Sequence, residues 1–261
     1  QPARINLKNC NSLNFISAPP CISSLDRVDT CLSMQLYSPK SVNPKEYSRI
    51  LDSGEAGPTK HGYPAVIFHA NDTVTKLWAK KTGWLSSSRW RPYSTRFIKN
   101  AELLKQKGIH TPEIISHMRI ARNHVHLVQY YSLPGKSIRE LLEHHPEQVD
   151  IPSLAQYIYN LHEKGIVFRA IHFGNIIQMP NQQYGLIDFT DVKFLNKPVP
   201  LIRRAANIAT PLRYQQDVKN IKKSGLPNLR KRYFKILRKQ RKQIEKDKFK
   251  HMVKERIKKR S

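Results

Sequence analysis

Two stretches in the first third of the chain are rich in the apolar and β-branched residues that favour extended strands. They cover residues 64–70 and 73–81 and are joined by Asn71 and Asp72, residue types that favour a tight turn. Successive side chains of a strand point to opposite sides, so Lys76 shares one face of the second stretch with the apolar residues two positions away. The pattern predicts a β-hairpin that holds a lysine among apolar neighbours.

Helical spacing replaces this extended pattern after residue 95. Residues 95–108 place apolar side chains three and four apart and end at Gly108, which is typical of a helix and its C-terminal cap. Further strands and helices are predicted at 111–120, 124–138, 138–145 and 153–166. The chain therefore predicts a strand-rich first lobe, a linker near 133–137 and a helical second lobe, with a ligand site where the lobes meet. We interpret His162, on the last helix, as a structural residue.

The segment 165–191 carries the clearest chemical signal. Its short apolar runs and its turn dipeptide predict three strands and one turn: 166–168, 176–177, 186–187 and Pro180-Asn181. Asn175 precedes one of these strands, and Asp188 follows another. An Asn and an Asp at adjacent strand ends can ligate a hard cation through oxygen, which is how a nucleotide-bound magnesium is held.

This segment resembles the catalytic loop and metal-binding turn of protein kinases, written H-R-D-L-x-x-x-N and D-F-G. Phe168-Arg169-Ala170-Ile171 takes the first four places, Asn175 the asparagine, and Asp188-Phe189-Thr190 the D-F-G place. The segment is also similar to bacterial lipopolysaccharide core kinases and toluene tolerance proteins, which share an H-x-G-N loop and a G-L-I-D run. In this chain those runs are His172–Asn175 and Gly185–Asp188.

The resemblance covers residues 45–225 and implies a protein kinase-like bilobal fold of the α+β class, with a strand-rich N-lobe and a reduced helical C-lobe. It also implies ATP and Mg²⁺ as cofactors. Lys76 would contact the nucleotide phosphates, and Glu102 would position Lys76. Asn175 and Asp188 would hold the magnesium. The alternative for Lys76 is an ordinary strand lysine whose amine extends to solvent, and for Glu102 an exposed helix glutamate.

One departure from the family pattern bears on catalysis. The general base, an Asp in protein kinases, is replaced by Ala170, which cannot accept a proton. Loss of such a base costs on the order of 10²–10⁴ in rate, but phosphoryl transfer depends mostly on positioning and electrostatics. His172 and Asp191 are the candidate substitutes for the base.

Two functions follow from the resemblance. The first is an ATP-dependent phosphotransferase similar to lipopolysaccharide core sugar kinases, acting on a cell-envelope saccharide at the cytoplasmic face of a bacterial inner membrane. The alternative is a pseudokinase that binds nucleotide and serves envelope assembly as a scaffold or regulator. Ala170 favours the alternative, whereas the intact Lys76, Asn175 and Asp188 oppose it.

The phosphate-covering loop of kinases has no clear counterpart. Gly54, Gly57 and Gly62 are scattered rather than arranged as G-x-G-x-x-G, so this loop is either degenerate or absent. Five arginines are candidates for contact with phosphate or with an acidic acceptor, the alternative being solvated side chains: Arg89, Arg91, Arg203, Arg204 and Arg213.

The charge of the chain indicates an anionic partner. There are 46 Lys and Arg against 19 Asp and Glu, a formal charge of +27, which is typical of proteins that meet nucleic acid, an anionic membrane or a phosphorylated polymer. The tail, residues 230–261, allows a basic amphipathic helix suited to an anionic membrane surface, or else a solvated charged helix. Nucleic acid is disfavoured because no recognised nucleic-acid motif is present. An anionic saccharide or lipid is the expected acceptor.

The first 33 residues differ from the rest. They hold all three cysteines, at positions 10, 21 and 31, and show little periodicity. A chain without cysteine beyond that point suits a reducing cytosol, and no apolar run approaches the ~18 residues that span a bilayer. We predict a natural start at Met34. The predicted parts are an upstream extension (1–33), a kinase-like domain (34–229, with lobes at 45–133 and 137–229) and the basic tail (230–261).

Overall fold

A six-stranded sheet is built from the first part of the chain. The computed structural model describes residues 38–60, 63–79, 92–120 and 125–240, which belong to one unit. The strand order is β1-β7-β8-β6-β5-β2. These strands are β1 (Lys40–Ser41), β2 (Glu55–Ala56), β5 (Val66–Phe68), β6 (Thr73–Ala79), β7 (Ile114–Ile120) and β8 (Val125–Tyr131), and a separate pair consists of β3 (Thr59–Lys60) and β4 (Tyr63–Pro64).

The predicted hairpin is confirmed. β5 and β6 are antiparallel, with Ile67 opposite Thr75, and Asp72 in the turn has a φ of +56°. On its other side β6 pairs along its whole length with β8. Lys76 therefore lies on an inner strand of the sheet, where the backbone is fixed from both sides.

The two faces of the sheet pack against different elements. One face buries Leu77 in a small core that is covered by Tyr47 and Ile50 of α1 (Pro44–Asp52). The opposite face contributes Val74 to the main core, and Trp78 packs against that core. Because strand side chains alternate, Lys76 shares the second face, as the sequence predicts.

The predicted helix at 95–108 is α2 (Tyr93–Gln106), displaced by two residues at each end. Its buried face includes Phe97, Ile98 and Leu104, which join the main core. Gly108 has a φ of +67°, the left-handed conformation in which helices commonly end. The helix thus packs under the face of the sheet that carries Lys76.

Gly135 lies in the segment 133–137, where the sequence predicts the linker. Gly135 has a φ of +119°, and a Cβ at this position would collide with the carbonyl group of Gln178. Only glycine combines this backbone conformation with so close an approach to the second lobe. Beyond it, three short strands form a sheet in the order β12-β11-β9: β9 (Lys136–Ser137), β11 (Ile176–Gln178) and β12 (Tyr184–Leu186).

The second lobe is mainly helical. Its helices are α3 (Ile138–His144), α4 (Ile151–Glu163), α5 (Leu201–Ala209), α6 (Gln215–Lys223) and α7, residues 229–240. One further antiparallel pair joins β10 (Ile166–Phe168) to β13 (Val192–Phe194). The helices α3 and α4 confirm those predicted at 138–145 and 153–166. The α+β class, with a strand-rich first lobe and a helical second lobe, is confirmed as well.

His162 is a structural residue, as predicted. Its ring is buried, with Nδ1 2.5 Å from the Tyr233 hydroxyl and Nε2 2.9 Å from Asn207 Oδ1. Asn207 Nδ2 in turn donates to the carbonyl oxygen of Phe168 at 2.7 Å. Burial lowers the pKa of His162 to about 4, so the imidazole is neutral near pH 7. The chain of contacts joins α7, α4, α5 and the end of β10.

The start of α7 belongs to the core of the second lobe. Leu229 and Tyr233 are buried, although Tyr233 lies in the predicted tail, which begins at residue 230; the domain bounds stay predictions. Arg204 is also buried, and it pairs with Glu163 at 2.7 Å and donates to the Val199 carbonyl oxygen. The expectation that Arg204 meets an acidic acceptor is therefore wrong.

Among the described residues, no helix is both long and apolar enough to cross a membrane.

Candidate active site

Lys76 reaches across the boundary between the lobes. Its ammonium group forms an ion pair with Asp188 Oδ1, and its side chain is only 12% exposed. The Nζ atom lies 5.7 Å from the ring centroids of both Trp78 and Phe97. The aromatic faces stabilise the ammonium cation, and the low local polarity strengthens its attraction to an anion. The structure therefore brings the predicted lysine and the predicted aspartate together.

Asp188 adopts a backbone conformation that is uncommon for its residue type. It follows β12 with φ of 52° and ψ of 42°, in the left-handed region. Such a conformation costs about 1–3 kcal/mol in a residue other than glycine and persists where the surroundings enforce it. The strain aims the carboxylate at Lys76 while leaving it 49% exposed. Asp188 thus offers a fixed carboxylate that a ligand can reach.

Contacts with α2 enforce this turn. The Phe189 ring is fully buried and stacks on Phe97, with centroids 4.3 Å apart and planes 11° apart. Asn100 Nδ2 donates to the carbonyl oxygens of Phe189 and Thr190, at 2.8 and 3.1 Å. Since Phe97 also lies against Lys76, the helix, the lysine and the turn form one packed group.

Asn175 is fixed beside Asp188 by the pairing of two strands. Ile176 faces Leu186 across the β11–β12 pair, and the amide of Ile187 donates to the Asn175 carbonyl oxygen at 3.1 Å. The side-chain Nδ2 of Asn175 donates to the Ala170 carbonyl oxygen at 3.0 Å. That bond commits the nitrogen and leaves Oδ1 as the acceptor for a ligand.

Asp188 and Asn175 together fit a magnesium ion that is bound with phosphates. Mg²⁺ is usually held by one or two carboxylates together with substrate phosphates and water, rather than by a cage of protein ligands. The described residues contain no group of three His, Cys, Asp or Glu that could hold a metal without such help. One carboxylate, one amide oxygen and an adjacent lysine instead match a site shared with a nucleotide.

The place of the general base holds no acceptor side chain. Ala170 contributes only its carbonyl oxygen, which is bonded to Asn175. Asp191, one candidate substitute, pairs with Arg96 at 3.1 Å and is half exposed. Its carboxylate is therefore engaged by a cation of α2.

His172, the other candidate, has a more suitable environment. Its ring lies 4.9 Å from the ring of Tyr214, and its Nδ1 is a buried atom without a hydrogen-bond partner in the described structure. Burial, and then the nearby Arg139, lower the pKa of His172. The imidazole is therefore neutral near pH 7 and able to accept a proton.

An ion pair that the sequence does not predict lies next to the loop that contains His172 and Gly174. Arg139 of α3 donates through Nε and Nη2 to the carboxylate of Asp217 on α6, at 2.9 and 2.8 Å. Asp217 is 1% exposed, and its hydrogen bond raises the pKa of Arg139. A Cβ at Gly174 would lie 3.0 Å from Arg139 Nη1, so glycine lets the arginine approach the loop. The one available signal was that Asp217 is the lone acidic residue between positions 201 and 240.

The remaining predicted residues are only partly located. Glu102 is half buried on α2. It lies five residues after Phe97, roughly 140° further round the helix, and its role towards Lys76 stays a prediction. Arg89 and Arg91 lie outside the described residues, as do the proposed extension 1–33 and the tail beyond residue 240.

Comparisons with known proteins give no family. No family model and no curated protein matches the chain. Three solved structures are similar to part of it: monomeric WbdD (21% identity, TM-score 0.37), the bifunctional kinase-methyltransferase WbdD (20%, 0.37) and WbdD with a kinase inhibitor (20%, 0.35). They cover 49%, 50% and 49% of this chain, which in turn spans 32%, 30% and 31% of theirs. The chain has a bilobal α+β fold with a strand-rich first lobe and a helical second lobe, which is the architecture that the resemblance to protein kinases implies.

Proposed function

We propose that the protein is an ATP-dependent phosphotransferase. The observation that carries the proposal is the contact between Lys76, from an inner strand of the first lobe, and Asp188, beside Asn175 in the second. Three groups that suit phosphate and magnesium thus converge from two lobes, and each is held by contacts that the rest of the fold supplies.

Each group has a distinct task in this proposal. Lys76 would bind nucleotide phosphate, exchanging part of its contact with Asp188 for the new anion. Asp188 and Asn175 Oδ1 would hold Mg²⁺, which supplies charge compensation on the transferred phosphoryl group. His172 would accept the proton of the acceptor hydroxyl, because Ala170 cannot. Glu102 would support Lys76 from α2.

The acceptor in this proposal is an anionic saccharide of the cell envelope, phosphorylated at a hydroxyl group. The high positive charge of the chain supports an anionic substrate, and the resemblance of the loop and turn to lipopolysaccharide core kinases supports a sugar. The reaction would take place at the cytoplasmic face of a bacterial inner membrane, where ATP is present.

Nucleotide binding is tested first because both the enzyme and its rival require it. We expect saturating ATP with Mg²⁺ to raise the melting temperature of the wild type, and Asp188→Asn to abolish the rise. Asn tolerates the left-handed conformation, so this variant removes charge without adding backbone strain. Asp72→Asn is the matched control, because Asp72 also has a positive φ, +56°, but lies in an exposed turn. A wild type that ATP does not stabilise would contradict the site.

The second candidate function is a pseudokinase that binds nucleotide and acts as a scaffold. Ala170 is the observation that favours it, since no carboxylate stands at the family position. Transfer of labelled phosphate from ATP to purified inner-core saccharide separates the two. A wild type that binds ATP but transfers nothing, even as Ala170→Asp, would favour the scaffold.

A further inference from the structure

One face of the second lobe carries apolar side chains that the described chain leaves uncovered. Ile202 is 81% exposed, and Leu201 and Phe234 are each more than one-third exposed. Together with Leu237 they line a groove of about 380 Å³ between α5 and α7. These four residues are called the α5–α7 face below. A large aliphatic side chain so exposed, next to an apolar groove, is typical of an interaction surface.

Basic residues surround this face. Positions 201–240 hold twelve Lys and Arg but a single acidic residue, Asp217, which is buried against Arg139. On α7, Arg230, Lys231 and Arg238 stand three or four residues from Phe234 and so share its side of the helix. All three are exposed. The apolar face therefore has a rim of positive charge with no acidic side chain among its neighbours on α7.

We propose that the α5–α7 face docks on an anionic lipid bilayer. Ile202 and Phe234 would enter the boundary between headgroups and acyl chains, while the rim binds anionic headgroups. This combination of apolar insertion and basic flanks is how interfacial segments bind membranes. The sequence pattern placed membrane contact in the tail alone, whereas the structure adds α5 to the surface. The proposal stands independently of phosphoryl transfer.

The apolar component distinguishes a bilayer from nucleic acid. Phosphate contacts would use the basic rim equally well. They would leave Leu201 and Ile202 in water, because an aliphatic side chain gains nothing from a phosphate backbone. A bilayer uses both the rim and the apolar centre, so it accounts for more of the surface.

The test is co-sedimentation of the full chain with lipid vesicles in the absence of ATP. We expect strong binding to phosphatidylcholine vesicles that contain about 30% phosphatidylglycerol, and weak binding to phosphatidylcholine alone, at roughly 0.15 M salt. Ile202→Ser should lower the partition constant by roughly tenfold or more, because it removes one apolar side chain from the lipid. Ile115→Ser, the same change at a less exposed isoleucine of β7, should leave binding unchanged.

A second pair of variants tests the rim. Each basic residue near an anionic surface contributes about fivefold to the partition constant. Removing three rim charges should therefore lower the partition constant by about a hundredfold. Removing three exposed lysines of α6 changes the net charge equally and should cost much less. The two triple variants are Arg230→Ser with Lys231→Ser and Arg238→Ser, and Lys219→Ser with Lys222→Ser and Lys223→Ser.

Four outcomes would overturn the proposal. They are no binding to anionic vesicles, equal loss in the two triple variants, unchanged binding of Ile202→Ser, and a dimer that Ile202→Ser converts to monomer, which would assign the face to a second copy of the chain. Tight binding to duplex DNA or single-stranded RNA at the same salt, without vesicle binding, would assign the basic surface to nucleic acid instead. If ATP still stabilises Ile202→Ser, the loss of vesicle binding in this variant is not caused by damage to the nucleotide site.

Discussion

His172 and Ala170 lie two residues apart, and in the proposed phosphotransferase they would determine where the proton of an acceptor hydroxyl goes. Ala170 has no acceptor side chain, and its carbonyl oxygen is bonded to Asn175. His172 is held neutral by burial and by the charge of Arg139. In the proposed reaction His172 would accept the proton. Its ring also packs against Tyr214, so its position and its basicity depend on the same surroundings.

We expect His172→Ala to lower kcat for saccharide phosphorylation by about 10²–10⁴, the usual contribution of a general base, with little change in ATP stabilisation. His144→Ala, on the exposed end of α3, is the control and should retain activity. Because the pKa of His172 is lowered, its imidazole stays neutral further into the acidic range. The decline of kcat at low pH in the wild type should therefore lie below pH 6.5.

A different result would change this assignment. If His172→Ala keeps full activity while Ala170→Asp raises it, His172 only shapes the loop and the enzyme works by positioning and charge.

The turn that carries Asp188 depends on an element distant in sequence. α2 supplies Phe97 to stack on Phe189 and Asn100 to bond the carbonyl oxygens of Phe189 and Thr190. The conformation of Asp188 is thus a property of the packing between α2 and the turn, and the helix could not shift without releasing the carboxylate from Lys76.

Asn100→Leu tests this dependence. It leaves two buried carbonyl groups without their donor, which should lower the free energy of unfolding by about 1–3 kcal/mol. It should also weaken ATP stabilisation, because Asp188 is no longer held in its conformation. Asn160→Leu, on the exposed side of α4, should change neither. Urea unfolding and thermal shift with ATP measure the two effects. If Asn100→Leu is destabilised but ATP stabilises it as much as the wild type, ATP binding does not depend on the conformation of this turn.

The elements that the sequence predicts well are those specified by neighbouring residues. The hairpin at β5–β6 follows from two strand-favouring stretches and the Asn71-Asp72 turn between them. The strands around Asn175 follow from short apolar runs between turn residues. The Phe97–Phe189 stack and the Arg139–Asp217 pair join residues 92 and 78 positions apart, so no local pattern indicates them. A motif therefore indicates the candidate site residues, whereas no local pattern indicates the contacts that hold them.

At the scale of the whole molecule, stability should depend on pH through His162. The pKa of His162 is about 4 in the folded protein and about 6.5 in an unfolded chain. As the pH falls through 6.5 the unfolded chain takes up the proton first, so stability that is present above pH 6.5 is lost towards pH 4. We expect a loss on the order of 2 kcal/mol between pH 7.5 and 5 from this residue.

Urea unfolding at the two pH values measures this loss. His162→Gln should be less stable at pH 7.5, because it disturbs the bonds to Tyr233 and Asn207, but its stability should change less with pH. His144→Gln, at an exposed position, should keep the wild-type dependence. Equal slopes in the wild type and His162→Gln would show that other groups cause the effect.

The start of α7 is expected to be essential for folding. Truncation after residue 228 removes Leu229 and Tyr233 from the core, and the loss of one large buried aromatic alone costs about 3–5 kcal/mol. Truncation after residue 240 removes none of the described core and should leave the melting temperature unchanged. Circular dichroism melts of the two truncated chains decide the point; a stable chain ending at 228 would show that the domain folds without the start of α7.

The hydrogen-bonded series from Tyr233 through His162 and Asn207 to the Phe168 carbonyl group has a consequence for substrate choice. It joins the helix that carries the proposed docking face to the strand that leads into the catalytic loop. A protein bound to a bilayer through that face would hold its cleft at one height and one tilt above the lipid. The distance from the cleft to the lipid would then be fixed. Only acceptors whose hydroxyl groups project from the membrane by that distance would reach the proposed site.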